Sequence, residues 1–299
     1  MKLLITGKNG QVGNELAKQV INYNFKTFFF DKKELNICNY KNLKKIIYSL
    51  KPDVVINLAA YTSVKNAEEN RDECFHVNAD GVLNLTNLCK EKSILLIHIS
   101  SDYVFDGLKR SEYLEIDKAN PLNTYGYSKR EGEKKIIENL KTYIIIRTSW
   151  VFSTYGNNFV KNIINLLKGK KNLSVVGSQI GGPTFAKNLA HVIILFCIKY
   201  SKEKKLDYGI FHYSNQPFVS WLNFAEEIVK NIRLNKYLDL DDKFILSERI
   251  SNNKEIHRPN NSRLSNKKIN DYLKIDTKEW LPGLDECLRE LKKDKFYEN

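Results

Sequence analysis

Lys2-Leu3-Leu4-Ile5-Thr6-Gly7-Lys8-Asn9-Gly10-Gln11-Val12-Gly13 is an apolar run that ends in three glycines spaced G-x-x-G-x-x-G. The run reads as a first β-strand, and the residues from Gln11 to about Asn22 as a helix. In that setting Gly7 makes the tight turn, Gly10 lets a diphosphate approach the backbone, and Gly13 lets the helix pack closely on the strand. The helix start then offers free N–H groups and the positive end of its dipole to phosphates. A G-x-x-G-x-x-G by itself is also an ordinary turn. Its position between a strand and a helix is what favours dinucleotide binding. Glycines stand where a signal peptide would need a long apolar region, so the segment is read as a strand rather than a leader.

The same rhythm continues outward. KTFFF (26–30) reads as strand, 39–50 as helix, DVVINLAA (53–60) as strand, 66–91 as a long helix, and ILLIHIS (94–100) as strand. A helix from Thr124 to Leu140 and a strand TYIIIR (142–147) follow. Strands without charge that alternate with helices predict a parallel sheet covered on both faces, an α/β doubly wound Rossmann-type architecture. Further on, LSVVG (173–177), a helix at 185–200, YGIFHYS (208–214) and an amphipathic helix at 220–234 are expected. The domain reading is 1–148 for dinucleotide binding, joined by strands and a helix from about 172–213, with 149–171 and 214–299 as a smaller C-terminal substrate-binding domain. Ligands of such sheets bind beyond the carboxyl ends of the strands, so the chemistry is expected just after residues 6, 30, 60, 100 and 147.

Composition excludes several classes. The 299 residues are 42% hydrophobic and 28% charged, an ordinary globular balance with no apolar run near the roughly 20 residues of a membrane span. Five scattered cysteines without a C-x-x-C pair predict neither a disulfide framework nor a zinc site, and suit reduced thiols in a cytoplasmic protein. The five histidines are isolated and are read as packing or surface residues. A net charge of +13 is spread over helices without clustered basic and aromatic residues, so no nucleic-acid or membrane partner is expected.

Asp31, 18 residues beyond Gly13 at the end of the second strand, suits either a ribose-binding acid or a turn cap. Lys32 and Lys33 beside it suit a 2′-phosphate, leaving NADPH and NADH both open. Tyr125 and Lys129 share one helix face, where an ammonium would lower the phenol's pKa and make it a proton donor and acceptor. The Y-x-x-x-K spacing recurs at Tyr40–Lys44, Tyr61–Lys65 and Tyr200–Lys204. Only Tyr125 follows a strand ending in hydroxyls, Ser100 and Ser101, which suit a clamp on a developing alkoxide.

With these parts on one chain, the sequence resembles the extended short-chain dehydrogenase/reductase superfamily and, within it, the dTDP-4-dehydrorhamnose reductase family. The narrower likeness rests on Ser101-Asp102-Tyr103-Val104-Phe105-Asp106-Gly107, Asn120-Pro121-Leu122-Asn123-Thr124-Tyr125-Gly126, Arg147-Thr148-Ser149-Trp150-Val151-Phe152, Gly182-Pro183-Thr184 and Arg258-Pro259-Asn260-Asn261-Ser262-Arg263-Leu264. The resemblance implies hydride transfer from NADPH, with NADH also admissible, to C4 of dTDP-4-dehydro-β-L-rhamnose, giving dTDP-β-L-rhamnose for surface polysaccharide. It implies Tyr125 as proton donor, Lys129 on the nicotinamide ribose and Ser101 on the carbonyl. Gly10, Gln11 and Val12 would meet the diphosphate, Asp31, Asn36 and Ile37 the adenosine end, and Ala60, Tyr61, Thr62 and Ile99 the middle of the cofactor. Asp102, Tyr103 and Trp150 would meet the sugar.

Ser101 replaces the family's frequent threonine, Asn36 a common acid, and Lys65 an expected aspartate. Some relatives pair around magnesium. Glu15 matches one such acid but Asn188 replaces another, so a homodimer is carried over and no metal is assigned. The alternatives are a reductase of another nucleotide-linked 4-keto-6-deoxyhexose, or a non-catalytic dinucleotide-binding subunit like the methionine adenosyltransferase regulatory subunit.

Overall fold

The computed structural model describes residues 1–168, 172–238, 245–249 and 256–297. Its frame is β1 (Lys2–Thr6), α1 (Gln11–Val20), β2 (Lys26–Phe30), α2 (Tyr40–Leu50), β3 (Val54–Asn57), α3 (Val64–Glu69), α4 (Arg71–Phe75), α5 (Gly81–Lys92), β4 (Leu95–Ser101), α6 (Thr124–Asn139) and β5 (Tyr143–Thr148). After β6 (Val151–Phe152), α7 (Phe159–Leu167), β7 (Asn172–Val176), β8 (Ile180–Gly181) and β9 (Thr184–Phe185), α8 (Ala186–Glu203) and β10 (Gly209–His212) return to this frame. The remainder is β11 (Val219–Ser220), α9 (Trp221–Leu234), β12 (Ile245–Arg249), β13 (Asn261–Ser262), α10 (Lys267–Leu273) and α11 (Leu281–Lys293).

Six strands form a parallel sheet in the order β10-β5-β4-β3-β1-β2, the doubly wound arrangement expected. Alternation along each strand explains why both faces need cover. Leu3, Ile5, Val54, Ile56, Leu95 and Ile97 pack on one side against α1 and α8, while Leu4, Val55, Leu96 and Ile145 pack on the other against α2 and α5. β1 has β2 on one side and β3 on the other, so the chain reverses direction across the sheet between β1 and β3, where a ligand crevice opens.

The long helix expected over 66–91 is interrupted twice. Asn70 leaves helical geometry, with φ −118° and ψ 51°, and residues His76–Asp80 form a π-helical turn. No helix among the described residues is long and apolar enough to cross a membrane.

A second apolar core gathers Phe152, α7, Phe185, α9, Trp280 and α11. β7, which the sequence assigned with 172–213 to the dinucleotide-binding part, belongs to this second core instead: it pairs in parallel with β12 and buries Leu173 and Val175 there. Its alternating burial explains the correction, because a strand with only one apolar face does not fit inside a sheet covered on both. α8 and β10 do pack with the large sheet.

Candidate active site

A cleft of about 640 Å³ lies across the carboxyl ends of β1 to β5. Gly7, Gly10, Gln11, Val12, Gly13, Asp31, Asn36, Ile37, Ala60, Tyr61, Thr62, Ile99, Ser101, Asp102, Tyr103, Tyr125, Lys129 and Trp150 all line it. The structure thus brings together every site residue selected from the sequence. Asn9, Ser149, Gly156 and Asn157 also line the cleft and were not selected, and Lys32, weighed for a 2′-phosphate, lines it too.

The glycine loop is built by close approach. Gly7, at φ +72°, sits so near Leu58 and Ala59 that an added Cβ would fall 2.7 Å from the Leu58 carbonyl carbon. At Gly13 a Cβ would run into the carbonyl oxygens of Gly7 and Lys8. Gly10 differs, because its Cβ would meet only Gly7 O, at 3.3 Å. As the N-cap of α1 it supplies no side chain, so the first N–H groups of the helix keep no side-chain acceptor. That arrangement fits a diphosphate. The Gln11 side chain is occupied elsewhere: Ser153 Oγ and Asn158 Nδ2 donate to its Oε1 at 3.2 and 3.0 Å, tying the loop after β6 to the glycine loop.

Asp31 serves a turn as well as the cleft. Its Oδ1 accepts from the N–H groups of Lys33 and Glu34 at 2.8 and 3.0 Å, and its Oδ2 from Asn9 Nδ2 at 3.2 Å. These bonds hold the carboxyl below its usual range, led by the one from Glu34. Lys32 lines the cleft beside it, whereas Lys33 does not. Asn36 Oδ1 accepts from the Cys38 N–H at 3.0 Å, and Ile37 is core on the α2 side.

The π-helical turn gives Asn78 its place. Buried at 1% exposure, Asn78 accepts from the Tyr61 N–H at 2.9 Å and donates to Tyr61 O at 3.0 Å and Ser128 Oγ at 2.9 Å. One side chain therefore links the loop after β3 to α6 beside Lys129. Sequence periodicity carried no sign of this, although π turns are frequent at functional sites.

α6 starts where Asn123 Oδ1 accepts from the Gly126 N–H at 2.9 Å. A Cβ at Gly126 would collide with Tyr103 O, so a glycine is what lets the helix start press onto the turn Asp102–Val104. Tyr125 thereby meets Tyr103 edge-on, with ring centroids 5.5 Å apart. Ser100 and Ser101, successive on β4, part company: Ser100 Oγ donates to Glu133 Oε1 at 2.6 Å, while Ser101 contacts the Tyr125 hydroxyl and donates to Asp102 Oδ1 at 2.9 Å. Behind them Glu133 is fully buried. Burial pushes its carboxyl up, but bonds from Arg147 Nε and Nη2, each 2.8 Å, hold it below the usual range.

The electrostatics correct one expectation. Lys129 does not lower the Tyr125 pKa in this arrangement; burial raises it, against the opposing hydrogen bond from Ser101. The physical reason lies in Nζ, which donates to Ile99 O at 2.7 Å and lies 3.4 Å from His98 Nε2. Lys129 itself is lowered to about 8 by burial, with Glu133 and Cys74 opposing. Asp102 is raised to about 6 by burial, and its Oδ2 has no hydrogen-bond partner. Tyr103 is pushed up to about 12 by burial, with the Arg258 guanidinium pulling it back. The phenol of Tyr125 is thus kept protonated beside Ser101 and Asp102, as a proton donor must be.

Trp150, between β5 and β6, lines the cleft beside Ser149. Trp221, which sequence reasoning passed over, stacks on it at 3.5 Å between centroids. Its signal was present only as a tryptophan opening an amphipathic helix. Among the described residues no group of three His, Cys, Asp or Glu side chains is placed to hold a metal ion.

Comparison with known proteins gives consistent matches. Residues 1–293 match the family model described as RmlD substrate binding domain. A dTDP-4-dehydrorhamnose reductase of Aggregatibacter actinomycetemcomitans is 38% identical over 293 residues, covering 95% of this chain and 97% of that protein. The crystal structure of a Clostridium acetobutylicum dTDP-4-dehydrorhamnose reductase superposes with a TM-score of 0.87 at 36% identity, over 98% of this chain and 100% of that one. The Bacillus anthracis dTDP-4-dehydrorhamnose reductase, solved in complex with NADP, superposes with a TM-score of 0.85 at 33% identity, over 97% and 99% of the two chains.

Proposed function

The chain belongs to the RmlD substrate binding domain family, and from that premise we infer that it is an NADPH-dependent reductase. It reduces the C4 ketone of dTDP-4-dehydro-β-L-rhamnose to dTDP-β-L-rhamnose, in dTDP-rhamnose biosynthesis. The observation that carries this reading is the meeting of Ser101, Tyr125 and Lys129 in one cleft with the glycine loop.

NADPH supplies the hydride when bound. The uncapped N–H groups at the start of α1, with the open approach at Gly10, suit its diphosphate. Asp31, Asn36 and Ile37 suit the adenosine end, and Ala60, Tyr61, Thr62 and Ile99 the stretch beyond. Lys129 is the hydrogen-bond donor for ribose hydroxyls. Tyr125 gives its phenolic proton to the C4 oxygen, for which burial has kept that proton in place. Ser101 turns its hydroxyl from Asp102 to the same oxygen. Asp102, Tyr103 and Trp150 contact the sugar, and the second core, built on Phe152, α7, β7, α9 and α11, is the part that binds the nucleotide-sugar. Retention of all three reacting side chains argues against a purely regulatory subunit. Pairing of two copies is part of the same reading and rests on the family likeness, to be checked by sedimentation. A cytoplasmic setting is supported by five cysteines that form no disulfide.

The test is oxidation of NADPH by purified protein supplied with enzymatically generated dTDP-4-dehydro-β-L-rhamnose, with Tyr125→Phe alongside. Turnover that collapses in the variant supports the reaction and the donor. Tight NADPH binding without turnover on this sugar defeats the substrate assignment, and equal turnover by both proteins defeats that of Tyr125.

A further inference from the structure

His98 is one of the buried ionisable groups that the reaction leaves unused. Only 1% exposed, it is the register partner of Asn57 across β3 and β4. Asn57 Oδ1 accepts from Thr6 Oγ1 at 2.7 Å and from the Ala59 N–H at 3.3 Å, the latter shared with Thr6 Oγ1. A backbone N–H cannot reverse its polarity, and the amide oxygen on that side accepts from it as well as from Thr6. The other end of the amide, Nδ2, then faces His98 Nδ1 at 3.0 Å and donates to it. An imidazole that accepts at Nδ1 and is neutral must carry its proton on Nε2. Burial and the Lys129 charge hold His98 well below its ordinary pKa, so it stays neutral.

That Nε2–H is aimed at Lys129 Nζ, 3.4 Å away. An ammonium has three donors and no lone pair, whereas a neutral amine can accept. We propose that His98 is a positioning residue for Lys129, its Nε2–H opposing the ammonium and donating to the neutral amine once the lysine proton has left. Glu133 of α6 and Cys74 of α4 favour the ammonium and burial opposes them; the Nε2–H of His98 acts on the same side as burial. When Tyr125 has given its proton to substrate, a lysine that releases its own proton readily helps restore the phenol. That last consequence rests on the reductase reading; the tautomer and its effect on Lys129 do not.

The experiment uses cofactor-free protein labelled with nitrogen-15. Long-range proton–nitrogen spectra should show His98 as the Nε2–H tautomer, unchanged from pH 5 to 9. The Lys129 amine should titrate about one pH unit higher in His98→Leu than in wild type, a tenfold change in proton affinity. His98→Gln should restore the wild-type titration, because its amide presents an oxygen to Asn57 and an N–H to Nζ. With NADPH and the nucleotide-sugar, kcat should fall about tenfold in His98→Leu, its alkaline limb should move up with the lysine, and both should recover in His98→Gln. An Nδ1–H tautomer, titration of His98 near 6.5, or equal Lys129 titrations in wild type and His98→Leu would overturn the proposal. If His98→Leu fails to fold, a Lys129 titration in folded His98→Gln that departs from wild type by a pH unit or more overturns it instead. If the spectra hold while no sugar is reduced, the reductase reading fails and the role of His98 stands.

Discussion

Trp150 lies flat on Trp221, with ring planes 9° apart and centroids 3.5 Å apart, although its backbone is left-handed at φ 48°. That conformation costs a side-chain-bearing residue on the order of 1 kcal/mol. The surroundings hold it there: Trp221 covers one face of the indole, and a Cβ at Gly181 would come 2.7 Å from its Cε2. Phe159 in turn tilts against Trp221 at 4.4 Å. The position of Trp150 in the cleft lining is therefore set by a residue that does not line it. Trp221→Ala should raise KM for the nucleotide-sugar about tenfold, the loss of roughly one stacked aromatic pair, and leave the Kd for NADPH unchanged. Steady-state kinetics beside fluorescence titration of NADPH checks this; an equal loss for both ligands points to general unfolding instead.

Two glycines in one loop should fail differently. Gly13→Ala forces its Cβ into the carbonyls of Gly7 and Lys8, so the loop shifts and Tm falls even in the absence of cofactor. Gly10→Ala meets little protein and should fold as wild type, yet its methyl stands where a diphosphate would approach. Its kcat/KM for NADPH should drop about 100-fold, the scale on which a misplacement of 1 Å acts. Thermal melts with and without NADPH separate the two.

Asp102 gives a pH signature. Its pKa is raised to about 6 in the fold against 3.8 in an exposed chain, so the native state holds a proton that the unfolded state has released between those values. Stability contributed by this group is intact below 3.8 and is lost as pH rises through 6. Asp102→Asn cannot titrate, so its stability relative to wild type should improve by about 2 kcal/mol between pH 4 and pH 8. Denaturant unfolding at both pH values measures the difference. A flat difference means the carboxyl finds a partner, and activity should fall in either case.

Glu133 of α6 and Arg147 of β5 form a buried ion pair, and Ser100 of β4 donates to the same carboxylate. Arg147→Met removes two bonds to the buried carboxylate and leaves it only Arg130 Nη1, at 2.9 Å, and Ser100 Oγ, so it should cost about 3 kcal/mol. Adding Glu133→Leu removes the under-paired charge and should recover more than half of that loss. A double-mutant cycle with no coupling between the two positions would show that the pair adds nothing.

The parts legible in the sequence were those governed by local physics. Apolar runs alternating with helices suit a parallel sheet covered on both faces, and three glycines between a strand and a helix suit a diphosphate loop. Among four Y-x-x-x-K pairs, Tyr125–Lys129 alone places both residues in the cleft; Tyr61 lines it without Lys65, and Tyr40 and Tyr200 lie on other helices. What escaped was set by packing between distant segments. Trp221 matters because α9 delivers it under a residue 71 positions earlier. His98 looked like filler because its partners come from β3 and α6. The pKa of Tyr125 went the other way because helical spacing says which face Lys129 shares but not where its Nζ finds an acceptor.

The two apolar cores are not consecutive pieces of chain. The path enters the second core near Phe152, returns to the large sheet with α8 and β10, leaves again with α9, comes back in α10 and ends in α11. A single recombination junction therefore cannot exchange one core between relatives and leave the other whole. Divergence of substrate within this architecture is confined to stepwise replacement at places such as the stacked indoles. Grafting a new specificity onto this chain is accordingly a task for coordinated point changes around Trp150, not for transplanting a segment.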